Sequence, residues 1–201
     1  YGPTSPYQFQ LKATALEWLF TGVWNAPSTL AVTTHTQLNT FIQNLLLAAE
    51  GETTWSWVTR YGLTGPNSAP SASPAGGGTN LEKYAFNMNP TQPGSTLTPG
   101  GSAGLPYPSL QNVNGLDYPT ITYARRKESP SVTYAVEFAW EVGGVFTRST
   151  TPESVTSIDS QWERVTIRDT VPTSATAPSG SPLMRVGRVS LSASYWTPEY
   201  P

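Results

Sequence analysis

Val132-Thr133-Tyr134-Ala135-Val136-Glu137-Phe138-Ala139-Trp140-Glu141-Val142 decides the fold. Its even positions are Val, Tyr, Val, Phe, Trp and Val; its odd positions are Thr, Ala, Glu, Ala and Glu. Side chains of a strand alternate between two faces, so residues 132–142 predict one strand with an apolar face and a more polar one. Such alternation belongs to antiparallel sheets that lay one face on a core and the other toward water. Working outward, Ile121-Thr122-Tyr123, Val165-Thr166-Ile167 and residues 186–195 read as further strands. Gly143-Gly144 and the Pro/Ser-rich residues 172–182 supply turns. Several strands with turn punctuation predict a mainly β chain, an antiparallel β-sandwich over residues 91–201.

The period differs upstream. Leu38, Phe41, Ile42, Leu45, Leu46 and Ala49 fall on one face of a helix over residues 36–50. Thr34 or Thr36 suits its start and Gly51 its end. This is the small N-terminal helical portion of the fold. Trp55, Trp57, Val58 and Tyr61 suggest a second short piece, helical or extended. Residues 64–79 are a loop by their Gly, Pro, Ser and Asn content, and residues 80–86 one or two helical turns. The domain reading is therefore residues 1–63 as a segment with an amphipathic helix, 64–90 as loop and short helix, and 91–201 as the sandwich.

Only 12% of the 201 residues are charged, against about a quarter in ordinary soluble chains. Ser, Thr, Gly, Pro and Asn take their place. The net charge of −2 leaves no basic surplus to neutralise phosphates, which argues against a nucleic-acid partner. The one basic cluster, Arg125-Arg126-Lys127, reads as a solvated strand end. There is no cysteine, hence no disulfide and no thiolate metal site. No apolar run approaches the length of about 18 residues that a spanning helix needs. The chain opens at Tyr1, as after leader removal or an internal start.

Trp57-Val58-Thr59-Arg60-Tyr61-Gly62-Leu63-Thr64-Gly65 runs into the loop, and Thr79-Asn80-Leu81-Glu82-Lys83-Tyr84-Ala85-Phe86-Asn87-Met88-Asn89-Pro90 runs out of it. This pattern resembles the C-terminal region of large secreted bacterial proteins, where an aspartate-rich D-x-D-x-D-G-D-G loop leads into T-N-L-x-E-Y-A. The similarity extends through Gly104-Leu105-Pro106 and the strands, over about residues 55–195. It implies an exported protein and a thrombospondin-type-3-like calcium loop beside a β-sandwich, without catalysis. On that reading the metal-loop positions are Asn67, Ser71, Ser73, Gly77 and Asn80. Where the family carries aspartates, this chain has Ser71, Ser73, Ala75 and Gly77. Calcium takes six to eight oxygens, several of them carboxylate. The expectation is therefore no cofactor and no tightly held calcium. Asn80, Leu81, Tyr84 and Phe86 are expected to anchor the loop to the sandwich.

The polar residues form no catalytic pattern in sequence. His35 is the one histidine and sits in a Thr-rich run before the helix, without a neighbouring acid. Glu137 and Glu141 share a strand face but are spaced at about 13 Å by a rise of about 3.3 Å per residue, beyond the reach of a glycosidase pair. Gly76-Gly77-Gly78 lacks the lysine of a phosphate loop. The chain reads as a non-enzyme.

One feature points to assembly. Phe9, Leu11, Ala13 and Ala15 alternate with Gln10, Lys12 and Thr14, and Leu16, Trp18, Leu19, Phe20 and Trp24 follow. So apolar a segment must be covered, either by its own chain or by a second copy. The functional expectation is an exported structural or interaction subunit, secreted or at the cell surface, self-associating into a filament or layer. The alternative is a carbohydrate- or surface-binding module of a larger secreted enzyme, with a glycan as partner.

Overall fold

The computed structural model describes residues 52–127, 131–149, 152–175, 185–193 and 196. The chain divides into two units, Tyr1–Thr53 and Thr54–Pro201, and the second is the one described below. The helix expected over residues 36–50, His35 and the apolar segment 7–24 lie outside the described residues.

Helix α1 spans Thr54–Arg60, a 3-10 turn Gly65–Ser68 and helix α2 Asn80–Ala85. Among the described residues seven strands follow: β1 (Tyr107–Val113), β2 (Leu116–Arg126), β3 (Val132–Ala139), β4 (Thr147–Ser149), β5 (Pro152–Ser157), β6 (Trp162–Arg168) and β7 (Val186–Ala193). They form a four-stranded sheet in the order β1-β2-β6-β5 and a three-stranded sheet in the order β4-β3-β7. Every pairing is antiparallel. The mainly β, sandwich-like class expected from the alternation is what forms.

The faces follow from the register. In the larger sheet Ile121 lies opposite Ile167 and Tyr123 opposite Val165, and all four are buried. Val132, Val136 and Phe138 of β3 join them in one apolar cluster. The Tyr123 and Tyr134 rings, one from each sheet, stack at 5.8 Å. Gly187 marks a close approach of the sheets, since a Cβ there would lie 2.7 Å from Ile121 Cδ1 and 2.8 Å from Phe138 Cδ1. Each large apolar side chain so buried stabilises the fold by about 1.5–3 kcal/mol.

Strand β3 is shorter than the sequence period suggests. It stops at Ala139, Trp140 is half-buried, and Val142 is 81% exposed rather than inward. The cause is the end of its partners. β7 pairs with β3 only as far as Ala139 opposite Val186, and β4 only as far as Phe138 opposite Thr147. Beyond them the apolar period continues without a ladder, and the chain turns at Gly143 with φ 86°.

Arg126 corrects the reading of the basic cluster. Its side chain is buried at 4% exposure, with its guanidinium 4.4 Å from the Tyr84 ring centroid and 4.6 Å from that of Trp162. Arg125 pairs with Glu163 at 2.7 Å. Lys127 donates to Ser157 Oγ at 2.8 Å and to the Asp159 carbonyl. Of the three only Lys127 is exposed, and it too is hydrogen-bonded.

Two carboxylates tie strand ends together. Asp169 and Arg185 form a pair that is 4% and 5% exposed, with Arg185 Nε donating to Asp169 Oδ2 at 2.7 Å. Asp169 Oδ1 also accepts from the Val171 N–H, and the Arg185 guanidinium lies 4.5 Å from the Trp140 ring centroid. On the smaller sheet Glu137 Oε2 accepts from Ser190 Oγ and Arg188 Nε, each at 2.9 Å. Those bonds, Ser190 first and Arg188 second, hold the Glu137 carboxyl below its ordinary value of 4.5. A depressed folded pKa adds stability above that ordinary value and loses it as pH falls through the folded one. Glu137→Gln should therefore flatten the acid limb of stability, read as urea midpoints from about pH 7 down to about pH 3. Equal slopes for the variant and the parent protein would show that these bonds do not tune the group.

Candidate functional site

Helix α2 is short, and its sequence explains both its ends and its buried face. Thr79 caps it: the Thr79 hydroxyl accepts from the Glu82 N–H at 3.2 Å, and Glu82 Oε2 accepts from the Thr79 N–H at 2.7 Å. That reciprocal pair satisfies two otherwise orphan donors. Counting i, i+3, i+4 from Asn80 gives Lys83 and Tyr84, and all three are fully buried. Leu81 is only partly buried, packed against the same cluster as Tyr84 and Phe86.

From this face two polar side chains organise the loops on either side. Asn80 Nδ2 donates to the carbonyls of Asn67 and Ala69, at 2.7 and 2.9 Å. Lys83 Nζ donates to the carbonyl of Gln92 at 2.8 Å and that of Pro90 at 3.4 Å. Loss of hydration lowers the Lys83 pKa from its ordinary value. The backbone completes the work: Asn80 N–H reaches the Ala72 carbonyl at 2.7 Å and Leu81 N–H the Pro70 carbonyl at 2.9 Å. The two loops also close on one another at Gly77 and Gly94, where a Cβ on Gly94 would overlap the Gly77 carbonyl at 1.5 Å.

The Asn67 carbonyl is taken by Asn80. Ser73 Oγ donates to the Gly78 carbonyl at 2.7 Å. Gly77 lies in the left-handed region at φ 64°, against Gly94. Ser71 is exposed. The carbonyls of Asn67, Ala69, Pro70, Ala72, Ser73, Gly76 and Gly78 each accept a protein hydrogen bond. The nearest carboxylate in sequence, Glu82, is engaged by the cap. Asn80 Oδ1 is buried without a partner, but one neutral oxygen is far from a calcium shell. Among the described residues no cluster of three His, Asp or Glu could hold a metal. The donor set does not fit calcium.

Tyr84 joins these loops to the rest of the unit. Its ring meets Trp57 edge-on at 5.6 Å and Trp196 at 6.0 Å, while Arg126 lies over its face. Trp196 Nε1 donates to the Ser68 carbonyl at 2.8 Å. Tyr134 OH, from the smaller sheet, donates to the Ala85 carbonyl at 2.8 Å. Lys83, Arg126 and Trp196 were not among the anchors expected from sequence. Lys83 was open to discovery by helical period, whereas Arg126 and Trp196 owe their places to contacts distant in the chain.

The other candidate surface is the set of sheet edges. The assembly residues Phe9, Leu11, Leu16, Trp18, Leu19, Phe20 and Trp24 lie outside the described residues. Four strand edges are described. β1 carries Pro108, and β4 has three residues. β5 begins at Pro152, has a register shift between Pro152 and Ser154, and is exposed throughout. β7 has eight residues, no proline and an unbroken register along β3. Among the described residues no strand pairs with its outer edge.

The chain was compared with family models, with curated proteins and with solved structures, and nothing matches in any of the three.

Proposed function

We propose that this chain is an exported, non-catalytic structural subunit that associates with copies of itself, as in a bacterial surface filament or layer. The observation that carries the reading is the apolar segment, strand-patterned at Phe9, Leu11, Ala13 and Ala15 and continuing to Trp24. A chain with 12% charged residues, no cysteine and much Ser, Thr and Gly suits a durable exterior assembly. Head-to-tail contacts of identical subunits propagate into open filaments when the rotation does not close. The test compares the full chain with a variant lacking residues 1–24, by sedimentation and negative-stain electron microscopy. The full chain should assemble, and the shortened one should stay a folded monomer. A full chain that remains monomeric at high concentration overturns the reading.

The same reading holds the loop at residues 64–79 to be metal-independent. Calcium at about 1 mM, where weak extracellular sites fill, should leave the melting temperature unchanged, and a chelator should not lower it. A calcium-saturable rise would place an ion there after all. Trp55, 53% exposed on α1, supports the alternative of a carbohydrate-binding module. Glycan binding abolished by Trp55→Ala would favour that alternative.

A further inference from the structure

We propose that the outer edge of β7, Val186–Ala193, takes residues 9–15 of a second copy as an added strand. This rests on the self-association reading above and names where the contact is made.

Among the described residues the smaller sheet is a strand short of the one it covers. The larger has four strands there and the smaller three, one of them only Thr147–Ser149. The shortage shows in the core. Val136 and Phe138, on the inner strand β3, are 3% and 1% exposed. Val189, opposite Val136 on β7, is only partly buried although it packs on the same cluster, and so are Leu191 and the Tyr134 opposite it. Trp196 is likewise part-covered. A further strand beside β7 would extend the inner face and finish their burial.

The choice of edge follows from how natural sheets guard their edges, with prolines, bulges, charges and short strands. Three of the four described edges carry such devices: Pro108 on β1, brevity on β4, and Pro152 and the bulge on β5. β7 carries none. Its single charge, Arg188, is held by Glu137. The open N–H and C=O groups of such an edge are a template for strand addition, with alternate side chains seated in the core.

Residues 9–15 match that template in length and period. β7 has its inward positions at Gly187, Val189 and Leu191. Phe9, Leu11, Ala13 and Ala15 would continue that apolar face, and Gln10, Lys12 and Thr14 would lie beside Ser190 and Ser192 on the polar one. Once residues 9–15 of each copy sit on β7 of the next, every β7 is filled by a neighbour and the chain of contacts does not terminate.

The protein has no cysteine, so introduced thiols report alone. Ser192→Cys is combined in turn with Gln10→Cys, Lys12→Cys and Thr14→Cys in the full chain, which scans the register. Directly opposite residues at non-hydrogen-bonded positions, with Cβ atoms about 4.5 Å apart, come within disulfide reach. After oxidation, one pair should give a ladder of linked oligomers on a non-reducing gel. Mixing the two corresponding single-cysteine variants should give the mixed dimer and no ladder. An intramolecular disulfide, seen as a monomer without free thiols, overturns the proposal in favour of the chain covering its own edge. Assembly without any cross-link overturns the β7 contact while leaving self-association standing. Absence of both overturns self-association itself.

Discussion

Replacing Tyr84 by Ala should lower stability by about 3–5 kcal/mol, the range for deleting a fully packed aromatic ring. The ring is wholly buried and is among the largest side chains to be so. Two tryptophans, Trp57 and Trp196, pack edge-on against it, and the Arg126 guanidinium covers its face. Truncation would thus leave a cavity where α1, α2, Trp196 and the end of β2 meet. It would also remove one of the two aromatic faces that flank a buried cation. Tyr84→Leu separates these effects, since it restores apolar volume without a π face. The leucine variant should recover most of the loss and stay short of the parent by about 0.5–2 kcal/mol, the worth of a desolvated cation–π contact. Urea titration followed by tryptophan fluorescence reads both variants. A loss below about 1 kcal/mol for Tyr84→Ala would mean that the ring is not packed as described.

Strands β2, β3, β6 and β7 were legible because their signal is local, whereas β1, β4 and β5, largely exposed and without an apolar alternation, were not. Residues 132–139 alternate, and no distant contact was needed to say so. The end of β3 was not legible, since Trp140 and Val142 keep the period while β7 and β4 have already run out. Partner length is a property of the sheet and not of the strand. Arg126 shows the same limit. A basic triplet at the end of a strand looks solvated by composition, and its burial depends on Tyr84, 42 positions earlier, and Trp162, 36 positions later. Lys83 is different. It falls on the face of Asn80 and Tyr84 by simple helical count, and only the habit of placing lysines outside conceals it. Its burial becomes intelligible once the carbonyls of Pro90 and Gln92 are seen to converge on its ammonium. The same holds for the loop of residues 64–79. Sequence showed that carboxylates were missing, but not that an asparagine amide and the first N–H groups of α2 would take up the carbonyls. Buried donors order both loops, and that is a sufficient physical reason for the loops to keep their shape.

Asp169→Ala is the second large effect, and its magnitude comes from what the substitution leaves behind. A buried ion pair gains little over a well-packed apolar pair, because the attraction mostly offsets the cost of dehydrating two charges. Removing only one partner strands the other, at a cost of about 3–5 kcal/mol. Here the stranded group would be Arg185, 5% exposed and lying against Trp140. The Val171 N–H would lose its acceptor as well. Asp169→Asn keeps a side-chain oxygen for that N–H but not the charge, so it should cost less than the alanine variant. Arg185→Met alone should be damaging for the converse reason, a carboxylate buried without its counterion. The double variant Asp169→Leu with Arg185→Met should recover much of either loss, since neither charge then remains in the interior. Denaturant midpoints for the two singles and the double close the cycle, and their non-additivity measures the coupling. A coupling below about 0.5 kcal/mol, the limit of additivity for independent sites, would mean that the two side chains do not meet. A large coupling would establish the pair as what joins the end of β6 to the start of β7, and so sets the edge on which an added strand would sit.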